Sequence, residues 1–205
     1  MQTLLGLQVP LQVAIITATI GAITLIINTL IGKWNISSLK QRRYIDTISK
    51  ERIEWLNKIR NSFVEFSTTT LEYTILWDVY KAKDLEKEHE KSKQLYDALI
   101  KLHATSEKIS LLLNPTEEFS IKHDGDCANL LDVLSEEKFI REEYTKRHAV
   151  LHFTQQVILK AEWQRIIKEI EIGKKLQKSD VDLIYNEVSK EILNSQNKEE
   201  VVLNV

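Results

Sequence analysis

The first 32 residues contain no Asp, Glu, Lys or Arg, and from Leu11 to Ile31 the chain reads LQVAIITATIGAITLIINTLI, an almost unbroken apolar run. At about 1.5 Å per helical residue this run reaches roughly 31 Å, close to the thickness of a bilayer's hydrocarbon core. It predicts a membrane-spanning helix. Pro10 fits the first turn, where a missing N–H costs nothing. All 28 Lys+Arg and all 30 Asp+Glu follow Gly32, so the chain divides into an anchor and one charged, water-soluble body. The boundaries expected from composition are residues 1–33 for the anchor, 34–195 for the body and 196–205 for a polar tail.

The near balance of charge leaves no large basic field for general nucleic-acid binding and no acidic tail. With five Gly and two Pro in 205 residues, the body has the composition of a helical protein. Its length suits a single domain. The fold class expected is all-α: an N-terminal transmembrane helix followed by an antiparallel cytoplasmic helical bundle.

A secretory signal would carry positive charge before its apolar core, and Met1-Gln2-Thr3 supplies none. Lys33, Lys40, Arg42 and Arg43 instead follow the run, and positive charge stays on the cytoplasmic side. This predicts a single-pass protein of the cell membrane, with its N-terminus outside, its body cytoplasmic and Trp34 at the interface. A lone Cys127 cannot form an internal disulfide, which agrees with a reducing compartment.

Along the anchor, Ala14, Thr17, Ala18, Gly21, Thr24 and Asn28 recur at spacings of three and four and share one face. Small residues let helices approach closely in lipid, and an Asn amide can bond across them for about 1 kcal/mol. Ala14, Ala18, Gly21 and Asn28 are therefore candidates for self-association into a homo-oligomer. The alternative is that such residues are simply common in membrane helices.

In the body, Leu56, Ile59, Phe63 and Phe66 form a helical stripe within a stretch free of Gly and Pro from Ser37 to Lys83. A bend is expected near Ser67-Thr68-Thr69-Thr70, where β-branched residues lower helix propensity. The charged stretch from Lys81 to Lys93 reads as a turn or an exposed first turn. A second stripe of Leu95, Leu99, Leu102, Ile109 and Leu113 ends at Asn114-Pro115, because the residue before proline is driven away from helical geometry. Thr116 to Asn129 reads as irregular, with a turn at Asp124-Gly125-Asp126. A helix is predicted from about Leu130 to Lys174, with a break near Ser135, and with Ile140, Tyr144, Leu151, Ile158 and Ile170 inward. Gly173 is its expected stop. Ser179-Asp180-Val181-Asp182 looks like a capping box for a last helix through about Leu193.

Three segments, ERIEWLNKIR at Glu51 to Arg60, LLLNP at Leu111 to Pro115 and LKAEWQRI at Leu159 to Ile166, together resemble a scattered group of small bacterial membrane-anchored helical proteins. The resemblance implies an anchor plus a helical body and brings no assigned chemistry. Within these segments Trp55 and Trp163 are candidate helix-contact residues, with Arg52, Arg60 and Glu162 able to form ion pairs at the contact's edge.

The segment Arg147 to His152, RHAVLH, resembles the signature of the HEPN ribonucleases, an Arg and a His separated by four residues. That resemblance implies an imidazole moving protons while a guanidinium stabilises phosphate charge. With seven Arg and five His in the chain, such a pair also arises by chance, and the mixed charge supplies no RNA channel. His148 and His152 face the same way on a helix, yet two ligands do not make a metal site, and Ala149 stands where an HExxH motif has Glu. His123, Asp124, Asp126 and Cys127 match no calcium loop or zinc knuckle. No glycine-rich phosphate loop occurs.

The sequence thus favours an interaction protein without catalysis, cofactor or metal, whose partners are the lipid bilayer, further copies of itself and an unidentified protein. Scaffold, sensor and effector in phage defence or exclusion all suit that build. An anchored HEPN-like ribonuclease using Arg147 and His152 is the alternative, and only there is nucleic acid a partner.

Overall fold

The computed structural model describes residues 2–82, 89–136 and 139–203, and among them every regular element is helical. In order these are α1 (Gln2–Arg43), a π-helical turn (Tyr44–Ser49), α2 (Lys50–Ala82), α3 (His89–Leu112), α4 (Glu118–Ser135), α5 (Arg141–Ile172) and α6 (Lys178–Leu203). The chain forms two compact units, Met1–Ile48 and Ser49–Val205.

The first unit is dominated by α1. It carries the one stretch among the described residues that is long and apolar enough to cross a membrane by length and composition, with a mean hydropathy of 2.1 and none of it buried. The hydroxyls of Thr17, Thr19, Thr24 and Thr29 each donate to the carbonyl four residues back, at 2.8–2.9 Å. The helix thereby satisfies these polar side chains by itself, as an apolar solvent requires.

In the second unit, α2 packs on α3, α3 on α4, α4 on α5 and α5 on α6, with a lighter contact between α2 and α5. Leu56, Ile59, Phe63 and Phe66 are all buried, as their spacing predicts, and they share one core with Leu95, Leu102 and Ile109 of α3 and with Leu113 just beyond its end. Removing each such side chain from water stabilises by about 2 kcal/mol. The pairs Trp55–Leu112 and Glu65–Lys108 make α2 and α3 antiparallel.

Aromatic side chains of α2 also cap the ends of two neighbours. Pro115 has no N–H, and the Thr116 N–H donates to the Asn114 side chain rather than to the helix, so the Leu111 and Leu112 carbonyls lack their usual donors four residues on. The Trp55 indole N–H supplies one to the Leu112 carbonyl at 2.8 Å. In the same way the Tyr73 hydroxyl donates to the Leu134 carbonyl in the last turn of α4 at 2.6 Å. Each bond answers the unsatisfied carbonyls that every helix end leaves.

Several sequence expectations are corrected. α2 runs unbroken through Ser67–Thr70, where Thr69 and Thr70 are buried and the Thr70 hydroxyl bonds back to the Phe66 carbonyl at 2.7 Å. The departure from α-helical geometry comes earlier, at Tyr44–Ser49. Most of the supposedly irregular segment 116–129 belongs to α4, and Asp124-Gly125-Asp126 is helical. Its buried face is Ser120, His123, Cys127, Leu130, Leu131 and Leu134, a helical spacing disguised by polar residue types. Ile140 precedes α5 in extended conformation and is 57% exposed rather than inward.

The break near Ser135 and the stop at Gly173, where φ is 66°, both occur. The last helix begins at Lys178, one residue before Ser179, with the Asp180 and Val181 N–H groups bonded to the Gln177 carbonyl, and it extends to Leu203 rather than Leu193. Much of the charged stretch 81–93 lies outside the described residues.

Candidate functional site

The three motifs that carried the family resemblance meet at one place in the second unit. Arg52 and Trp55 come from the first, the Leu112 carbonyl from the second, and Glu162 and Arg165 from the third. Arg52 lies 2.6 Å from Glu169. Arg165 lies 2.9 Å from Glu162 and 3.3 Å from Glu117, and the Tyr185 hydroxyl donates to Glu162 at 2.9 Å. Burial alone would lower the Arg165 guanidinium, but Glu162, Glu117 and Glu169 together raise it. Burial pushes the Tyr185 hydroxyl up, and Glu162 adds to the effect. A proton donor held that firmly is a structural bond, and the network fixes α2, α5 and α6 to the α3–α4 corner. Trp163 points elsewhere and is 47% exposed. Arg60 stays outside the network and donates to Asn57 at 3.1 Å.

A different arrangement occupies the groove between α2 and α5, a cavity of about 350 Å³. From α2 it is lined by Arg60, Phe63, Val64, Ser67 and Thr68. From α5 come His148, His152, Gln155, Gln156 and Leu159. Arg52 pairs with Glu169 while residues 60–68 of α2 face 148–159 of α5, so the two helices run antiparallel, with Arg60 toward the Leu159 end of the groove and the imidazoles toward Thr68. No carboxylate lines the groove, and Arg60 is the single permanent charge among these residues.

The imidazoles belong to a longer row of rings. Ring centroids are 6.0 Å apart for Trp77–Phe139, 5.7 Å for Phe139–Tyr144, 5.6 Å for Tyr144–His148 and 6.4 Å for His148–His152. His148 is half-buried and held below the ordinary imidazole range, by burial first and by the nearby His152 second. His152 is exposed in the groove.

Behind the groove floor lies His123, fully buried and stacked on Phe63 at 5.0 Å. Burial lowers its imidazole to about 4, against the opposing pull of Asp124, so at neutral pH it is uncharged. The Gln155 amide nitrogen sits 3.5 Å from its Nε2. Cys127, buried on the same face of α4, has its thiol pushed up to about 12 by burial and is inert. Asp124 accepts from Ser110, and Asp126 from Lys122 and Thr154. Among the described residues no group of three or more His, Cys, Asp and Glu side chains is arranged to hold a metal ion.

The structure places Arg147 and His152 apart. They stand about 140° apart around α5. Arg147 donates to Glu143 at 2.7 Å and lines a separate groove with Asp132, Glu136 and Glu142, while His152 faces Arg60's groove. The anchor candidates Ala14, Ala18, Gly21 and Asn28 are all exposed on α1, and a Cβ added at Gly21 would meet nothing within 4 Å. Sequence reading overlooked the groove itself, since Arg60 lies 88 residues before His148. The signal available was the pair of histidines one helical turn apart.

The chain matches no protein-family model, and no curated protein or solved structure matches it.

Proposed function

We propose that this protein is a single-pass membrane protein whose α1 spans the bilayer and whose second unit is a cytoplasmic helical bundle acting by interaction rather than catalysis. The observation that carries this reading is the apolar, wholly unburied surface of α1. Large side chains from Leu11 to Ile31 are roughly half to two-thirds exposed, and a helix with apolar side chains all round needs an apolar solvent. Lys33, Arg42 and Arg43 follow directly and hold that flank in the cytoplasm. Trp34, 73% exposed, suits the headgroup level.

In this reading the anchor pairs protomers through Ala14, Ala18, Gly21 and Asn28, and the bundle presents its surface to a protein partner as scaffold, sensor or effector. The phage-defence role stays within the effector branch. The resemblance of the three motifs to small bacterial membrane-anchored proteins points the same way, and their convergence on one ion-pair network gives each motif a reason to exist.

The test is membrane extraction. The full chain should pellet with membranes, resist alkaline carbonate and high salt, and be released by detergent. Recovery in the soluble fraction without detergent would refute the anchor.

A further inference from the structure

We propose that the groove between α2 and α5 binds a nucleoside monophosphate, with the phosphate at Arg60 and the base packed beside His152. This goes beyond the anchoring reading and does not depend on it.

The charge of the groove selects an anion. In a body rich in acidic residues, the groove's lining includes no carboxylate and one guanidinium. Arg60 is exposed, and among the described residues its bond is to the neutral amide of Asn57 through one of its five donors, which leaves donors for a planar, multidentate acceptor such as phosphate.

The opposite end selects an aromatic ring. The row from Trp77 through Phe139, Tyr144 and His148 terminates at His152, which opens into the groove. A ligand ring there would extend the row by one member. Burial disfavours the charged form of the His148 imidazole that lines the same end of the groove, which suits a neutral base. The Gln156 amide and the Thr68 hydroxyl supply the in-plane donors and acceptors by which a base edge is read.

Length ties the two ends together. From Arg60 to Thr68 along α2 is about 12 Å, which suits a ligand with phosphate at one end and base at the other, the sugar lying over Phe63 and Val64. The volume of about 350 Å³ falls in the range of small-ligand sites. Gln155 would act as a positioning residue, since His123 engages its amide nitrogen and fixes the floor of the groove.

The experiment is calorimetric titration of the detergent-solubilised full chain with AMP, GMP, CMP and UMP, and with inorganic phosphate and the matching nucleosides. At least one mononucleotide should bind, at least about tenfold tighter than either its nucleoside or phosphate. Arg60→Ala should abolish the advantage of the nucleotide over the nucleoside, while His152→Ala should weaken both alike. Both positions are exposed, so circular dichroism and melting should match the wild type. The proposal is overturned if no mononucleotide binds at millimolar concentration. It is equally overturned if a nucleotide binds and Arg60→Ala leaves its affinity unchanged.

Discussion

Arg52 on α2 lies 2.6 Å from Glu169 on α5, and the Glu169 side chain is only 2% exposed. The same carboxylate lies 3.5 Å from Arg165 and accepts the Leu176 N–H beyond the end of α5 at 3.0 Å. One buried side chain thus joins two guanidiniums and the turn into α6. Removing it takes from Arg52 the carboxylate at 2.6 Å in a partly desolvated place, while Arg165 keeps Glu162 and Glu117. Glu169→Leu should destabilise by about 3 kcal/mol, and Arg52→Ala in the same background should cost less than it does alone. Chemical unfolding of the two single variants and the double variant measures this. Additive losses would mean the pair is not coupled.

His123 makes stability depend on pH. Its folded value near 4 lies below the ordinary 6.5, so between those limits the unfolded chain binds more protons. Stability therefore falls as pH drops from about 6.5 to 4, by about 3 kcal/mol from this group. His148, shifted the same way, adds to the loss. Comparison of unfolding curves from pH 7 to 4 should show a shallower decline for His123→Gln than for the wild type, whose carboxylates contribute equally to both. Parallel declines would show that His123 does not titrate as its burial requires.

Two glycines should respond oppositely to alanine. Gly173 closes α5 at φ 66°, where a Cβ is strained, so Gly173→Ala should cost about 1 kcal/mol. Gly125 lies inside α4 with nothing within 4 Å of an added Cβ, so Gly125→Ala should stabilise by roughly 0.5–1 kcal/mol. Thermal melts of the two variants should move in opposite directions.

On the anchor, Ala18→Leu and Gly21→Leu should weaken pairing in a membrane two-hybrid assay, while Ile20→Leu should not. A Cβ at Gly21 meets nothing within 4 Å and Ala18 is exposed, so a loss reports on a second copy. Equal signals from all three would return the small-residue face to ordinary membrane-helix composition.

Much of the helical order was legible because apolar spacing and punctuation agreed. Leu56 to Phe66 gave α2, Asn114-Pro115 ended α3 and Gly173 ended α5. The reading failed where buried positions are polar. His123 and Cys127 carry the buried face of α4, so Asp124-Gly125-Asp126 looked like a turn although an i,i+4 pair of Lys122 with Asp126 and a bond from Ser110 to Asp124 hold it helical. Thr69 and Thr70 looked like a weak point, but both are buried within a continuous α2, where packing outweighs propensity. The ion-pair network was half visible, since the motifs named Arg52, Trp55 and Glu162 while nothing local linked them to Glu169 and Tyr185. The groove required two helices to be brought together, and no single segment contains that information.

The account stands on the topology of α1, and cysteine labelling reads it directly. Cys127 is buried and its thiol is raised to about 12, so the native chain should not react with a membrane-impermeant maleimide. In intact cells Thr3→Cys should label and Ser195→Cys should label only after the membrane is opened. Labelling of Ser195→Cys in intact cells, with Thr3→Cys protected, would contradict the orientation, and protection of both or labelling of both would contradict the span.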